Sequence, residues 1–329
     1  MQVNVNAWLI FMAVSSLIGG LVLFAHSVLS GTAAPKRSAV FSALSLISGI
    51  ILGFLSAKLF FLLFRISGII KEGIGGYLFP LRPSDLSYYG GLAGIILAVI
   101  LAAKWTRIPV MKALNTFAFS FALLAAFIRF AEYWLGYLGT GGLEILFPGD
   151  IDDVILPFPF AMTEVFSEDY AECYLAVFML EGVLSLRVAV FALQKKKDPL
   201  CFIRTLFCLC LFQVVCESMR DISLRWLFVR YEQAICWLVA EGILVWYGIV
   251  SAREKKWNFG AAIVGLIVFG LTVAEEYMLD GKLFADWSLP RSLIYGFMAL
   301  GLLEMLIAEH YARKKLPEQT CFSESCSKP

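Results

Sequence analysis

Arg129 and Glu132 stand three residues apart in the apolar stretch LLAAFIRFAEYWLG, and Glu217 and Arg220 repeat that spacing in FQVVCESMRD. On a helix such positions share a face, so each pair can meet. An ionised group inside a bilayer costs about 2.5–3.5 kcal/mol on insertion scales, so charges there turn inward or toward water and find partners. A guanidinium is a planar donor fork that matches phosphate. A carboxylate lifted in pKa by burial can take a proton, although a neighbouring guanidinium pushes the other way. Two chemistries are therefore open at these positions: a grip on a lipid phosphate, or a structural ion pair between helices. Lys58, Glu181, Arg187, Arg204, Glu241, Glu275, Glu276 and Glu304 also lie in or beside apolar runs. Of these, Arg187 and Arg204 stand near the ends of their runs, where a long stem can snorkel.

The elements that must position these charges are membrane spans. The chain is 60% hydrophobic and 16% charged, with a mean hydropathy of +0.80. A soluble domain needs far less apolar sequence. Runs of about 20 apolar residues, enough to cross a ~30 Å core, recur along the chain. They predict an all-α, polytopic membrane protein with about nine spans: Ala7–Leu29, Ala39–Phe64, Tyr88–Ala103, Lys112–Leu138, Tyr170–Leu193, Leu200–Cys216, Gln233–Ala252, Asn258–Met278 and Ser292–Tyr311. The short alternating segments of a membrane β-barrel are not seen. The apolar run after MQVNVN has no basic segment before it and is too long for a cleaved signal, so it reads as a retained span.

Charge alternates between the connections. Lys36 and Arg37, Lys104 to Lys112, Lys195 to Lys197, Arg253 to Lys256, and Arg313 to Lys315 fall on one side. The positive-inside rule makes that side cytoplasmic, which puts the N-terminus outside and the C-terminus inside. Both charge pairs then sit near the outer leaflet. The longest outer connection, 139–169, carries Glu144, Asp150, Asp152, Asp153, Glu164, Glu168 and Asp169 beside Pro148, Pro157 and Pro159. Its apolar residues, Val154 to Phe160, predict a small ordered head between spans four and five, and a connection of this length is often functional. The tail from 316 to 329 is short and polar, and reads as mobile.

The net charge of +1 gives no reason to expect a nucleic-acid partner. Six of the eight cysteines lie in apolar runs, with no C-x-x-C pair and no Cys/His set. They read as small packing residues rather than disulfides or metal ligands. Gly90, Gly91 and Gly94, in SYYGGLAG at the mouth of span three, are small enough to let another backbone come close. Tyr88 and Tyr89 stand at interfacial depth, where tyrosines commonly anchor helices.

SYYGGLAG, LLAAFIRFAEYWLG, FMLEGVLSL (Phe178 to Leu186), FQVVCESMRD and Gln233 follow one another in an order and sidedness that resemble the prolipoprotein diacylglyceryl transferases. The resemblance covers about Val5 to Val250. It implies a seven-span membrane domain at 1–252, with a two-helix extension at 253–315 that the family lacks. It also implies a multi-pass protein of the bacterial plasma membrane that needs no cofactor. Members move the diacylglyceryl group of phosphatidylglycerol onto the cysteine thiol of a prolipoprotein lipobox, releasing glycerol phosphate. Carried onto this chain, the resemblance makes Arg129 and Arg220 the phosphate-binding residues and Glu217 the family's glutamate.

Several positions depart from the family. Its histidine before the glycine pair is Tyr89 here, its asparagine after the arginine is Glu132, its first sixth-span arginine is Gln213, and a second-span aromatic hydroxyl is Phe61. A thiol needs a base working near its own pH range. Tyrosine, with an ordinary pKa near 10, fills that role poorly, which leaves Glu132 or Glu217. Three functions follow: a divergent transferase, a non-catalytic lipid-binding or accessory protein on the same scaffold, and a transporter using Glu241, Glu275, Glu276 and Glu304. The last lacks the inverted repeat and paired broken helices common in transporters.

Overall fold

The computed structural model describes residues 4–79, 83–135, 144–145, 161–167, 170–220, 225–226, 229–253, 256–279 and 290–316. Among them, nine helices are long and apolar enough to cross a membrane. They are α1 (Val5–Leu29), α2 (Pro35–Phe64), α3 (Tyr88–Trp105), α4 (Val110–Ala131), α5 (Val177–Gln194), α6 (Cys201–Ser218), α7 (Tyr231–Arg253), α8 (Gly260–Leu279) and α9 (Arg291–Lys314). The protein is a polytopic helical membrane protein, and each expected span is met by one helix.

The fifth span starts later than expected. Residues Tyr170–Leu175 are a strand, and α5 begins only at Val177. This strand, β3, is central in a small antiparallel sheet, between β1 (Glu144–Ile145) and β2 (Ala161–Ser167). Glu172 faces Glu164 in the register. The sheet lies in the connection where a head was expected. The rest of 139–169, including its prolines, Asp150, Asp152, Asp153, Glu168 and Asp169, lies outside the described residues, as does the tail from 317.

Two helices of the first unit, α1 and α2, are turned inside out relative to a soluble protein. On α1 the buried positions are Ser15, Gly19, Leu23 and Ser27, while Leu9, Ile10, Leu17 and Leu21 are exposed. On α2, Ser38, Ser42, Ser45, Gly49 and Gly53 are buried, and Ile47, Ile50, Ile51 and Leu55 are exposed. Lipid tails are as apolar as leucine, so large apolar residues gain nothing by hiding. Small and hydroxyl residues instead let helices approach.

The chain divides into two compact units. The first comprises Met1–Thr205 with Arg220–Ile222, and the second Leu206–Met219 with Ser223–Pro329. The division falls inside α6, whereas the resemblance draws its line at 252.

Within the first unit, α2 packs chiefly on α3, α4 on α5, and α1 on α4. The start of α3 is fixed by Ser87, whose Oγ accepts from the Gly90 N–H at 3.2 Å while its own N–H donates to the Ala57 carbonyl at 3.1 Å. That is an N-cap tied to the neighbouring helix. A Cβ on Gly94 would land on the Leu52 carbonyl, and one on Gly90 would lie 2.8 Å from the Ser56 oxygen. Gly91 is roomier, its nearest neighbour being Ala57 Cβ at 3.7 Å. Gly94→Ala is therefore expected to destabilise by about 1–3 kcal/mol, the usual range for overpacking, while Gly91→Ala stays close to wild type. Unfolding of the purified variants in mixed micelles checks both.

In the second unit, α8 packs on α9, and both contact α7. Polar contacts join these helices. Asn258 Nδ2 donates to Ser251 Oγ at 3.1 Å and to the Ala312 carbonyl at 2.8 Å, and the Tyr247 hydroxyl reaches Glu309 Oε1 at 3.3 Å.

Candidate functional site

In the first unit four charged side chains from three stretches of sequence converge. Arg129 lies in the last turn of α4. Glu132 opens the 3₁₀ turn Glu132–Leu135 that continues it. Glu181 is in the first half of α5, and Arg220 stands two residues beyond α6. Close packing of α4 and α5 brings the acid within reach, since a Cβ on Gly182 would collide with the Phe130 ring.

Arg129 Nη1 donates to Glu132 Oε1 at 2.6 Å. Its Nε lies 2.9 Å from Glu181 Oε2, an ion pair without hydrogen-bond alignment. Arg220 Nη2 donates to Glu132 Oε2 at 2.9 Å and also to Glu181 Oε2, and its Nε donates to Glu181 Oε1 at 3.3 Å. Each carboxylate thus bridges both guanidiniums. The Tyr88 ring lies under the Arg129 guanidinium, 3.5 Å from Cζ, and the Tyr88 hydroxyl donates to the Ala125 carbonyl at 3.2 Å. A cation over an aromatic face is stabilised further where water is excluded.

The quartet is buried: Arg129 is 3% exposed, Glu181 4%, and Glu132 and Arg220 9% each. Two positive and two negative charges cancel, so the group can leave water without stranding a net charge. Burial by itself would lower the Arg220 pKa, but Glu132 and Glu181 outweigh it and hold the group above its ordinary value, against the opposing push of Arg129. Among the described residues, two buried Arg129 donors make no hydrogen bond: Nε, held only by its ion pair with Glu181, and Nη2.

No protein-family model and no curated protein matches this chain.

Sequence spacing found the Arg129–Glu132 contact but missed two members of the group. Glu181 was visible as a charge inside an apolar run, but no spacing rule links it to Arg129, 52 residues away in sequence. Tyr88, not its neighbour Tyr89, stacks on the arginine. Tyr89 is buried edge-on to Tyr88, with ring centroids 4.9 Å apart. The expected Glu217–Arg220 face is not a helical one. α6 ends at Ser218, so the three-residue register stops short of Arg220. Glu217 belongs to the second unit, where its Oε2 accepts from Gln213 Nε2 at 2.9 Å and its carbonyl accepts from Arg230 Nη1.

No imidazole attends the quartet from α1. His26 Nδ1 is 2.8 Å from the Thr116 carbonyl. At ~1.5 Å per residue, Thr116 lies about 20 Å down α4 from Arg129. Among the described residues, no group of three or more His, Cys, Asp or Glu is arranged to hold a metal ion.

The remaining intramembrane acids are dispersed in the second unit. Glu276 Oε1 accepts from Gln233 Nε2 at 2.9 Å and from the Ser218 hydroxyl. Both Glu241 carboxylate oxygens are buried without a hydrogen-bond partner among the described residues.

Proposed function

We propose that this protein is a divergent relative of the prolipoprotein diacylglyceryl transferases, and that the Arg129–Glu132–Glu181–Arg220 quartet is its phospholipid headgroup site. The observation that carries this reading is convergence. Arg129, Glu181 and Arg220 come from three motifs that the resemblance drew from separate spans, and Tyr88 comes from a fourth. Nothing in their sequence spacing requires them to meet, yet they form one group. Two guanidiniums on one site suit a phosphodiester, which accepts forked hydrogen bonds. In the reaction, a thiol sulfur bonds to the glyceryl carbon that carries the phosphate. The carbon–oxygen bond breaks, glycerol phosphate departs with the electron pair, and the thiol proton passes to a base.

A second reading is favoured by the charge balance. Both guanidiniums are already matched by carboxylates, and the family's histidine is Tyr89 here. On this reading the protein binds phospholipid at the same place without turning it over, as an accessory to another membrane process.

One experiment separates the two. Purified protein is given phosphatidylglycerol labelled in its acyl chains and a peptide bearing a lipobox cysteine. Label appearing on the peptide, with glycerol phosphate released in equal amount, supports the transferase. Retention of labelled lipid with no transfer supports the accessory reading. Neither transfer nor retention overturns both.

A further inference from the structure

Glu132 touches both arginines through different oxygens: Oε1 meets Arg129 Nη1 at 2.6 Å and Oε2 meets Arg220 Nη2 at 2.9 Å. Two oxygens on one central atom, each bonded to a different guanidinium, is also how a phosphodiester would sit. We infer that Glu132 is a resident counter-anion, holding the place that a phosphodiester takes when it enters the site. This inference rests on the quartet being a headgroup site.

Three observations support the exchange, and the second sets Glu132 apart from Glu181. The first is charge. A phosphodiester carries one negative charge, as Glu132 does, so exchanging one for the other leaves the buried group neutral and avoids the cost of an uncompensated ion. The second is position. Glu132 stands where α4 passes into a 3₁₀ turn and is 9% exposed, while Glu181 is inside a continuous helix and 4% exposed. The backbone at a helix end yields more readily than that of a helix interior. The third is the unspent donor. Arg129 Nη2 is buried and lacks a hydrogen-bond partner among the described residues. A lone charged donor in a dry site is costly, and a phosphate offers more acceptor oxygens than a carboxylate. Exchange would satisfy a group that the resting arrangement leaves bare.

The inference predicts that removing the resident anion strengthens binding. Fluorescent phosphatidylglycerol is titrated into the purified full-length protein, with diacylglycerol and soluble glycerol phosphate as separate probes. Glu132→Gln keeps the shape and deletes the charge, and is expected to bind phosphatidylglycerol about tenfold or more tightly than wild type. Glu132→Asp shortens the reach so that one carboxylate no longer spans both guanidiniums, and is expected to show a gain of a few-fold. It carries the test if the glutamine variant fails to fold. Diacylglycerol, which lacks phosphate, should show no gain. A gain with glycerol phosphate as well assigns the site to the phosphate group alone, whereas a gain confined to phosphatidylglycerol assigns it to the intact lipid. Equal or weaker phosphatidylglycerol binding by both folded variants, with wild type still binding, overturns the exchange and leaves the headgroup site standing. Absence of phospholipid binding in wild type and variants alike removes the headgroup site itself.

Discussion

Glu181→Leu is expected to destabilise the folded protein by about 3–5 kcal/mol, the range for stripping one partner from a buried ion pair. Glu181 contacts Arg129 through Oε2 and Arg220 through both oxygens. Its loss leaves two guanidiniums facing the single carboxylate of Glu132 in a site that water barely enters. The cost is that of the stranded charge and exceeds the value of the bonds themselves. A second substitution tests this account of the cost. Glu181→Leu combined with Arg220→Met leaves Arg129 and Glu132 as a neutral pair, so the double variant should be less destabilised than the sum of the two single variants. An interaction energy of this kind is the signature of residues acting as one network. Unfolding in mixed micelles measures all three. A loss below about 1 kcal/mol for Glu181→Leu, the size typical of exposed pairs, would mean that the quartet is not the buried, coupled unit described.

Arg129→Lys has the second large effect, and on function rather than folding. Lysine keeps the positive charge, so the quartet remains balanced. It loses the fork that spans Glu132 and Glu181 and the flat face that lies on Tyr88. If the site transfers a diacylglyceryl group, the rate should fall by about 100-fold or more, as when a preorganised donor is removed from a developing anion. Turnover is measured with labelled phosphatidylglycerol and the lipobox peptide, alongside a melting curve on the same preparation. A lysine variant that is folded and fully active would show that Arg129 serves packing alone.

Span positions were legible because length and hydropathy are the bilayer's own demands, and these nine runs meet them. The error at span five is instructive. YAECYL reads as a continuation of the apolar run, yet it carries Glu172, and the register puts Glu172 across from Glu164 on β2. A strand that pairs beside a helix start looks like extra span when only average hydropathy is weighed. The site was legible where helical spacing governs it, at Arg129 and Glu132. It was not legible at Glu181 and Tyr88, whose contacts depend on how α3, α4 and α5 pack. Arg220 was found as a residue but given the wrong geometry, because the end of α6 carries no glycine or proline to announce it. FQVVCESMRD runs straight through Ser218.

The most direct test of the headgroup site is the lipid that the protein keeps. Wild type and Arg129→Lys are each released from phosphatidylglycerol-containing nanodiscs and examined by native mass spectrometry. Wild type should retain a bound phosphatidylglycerol, and the folded lysine variant should lose it. Equal retention by both, or retention by neither, would contradict a lipid phosphate seated among Arg129, Glu132, Glu181 and Arg220.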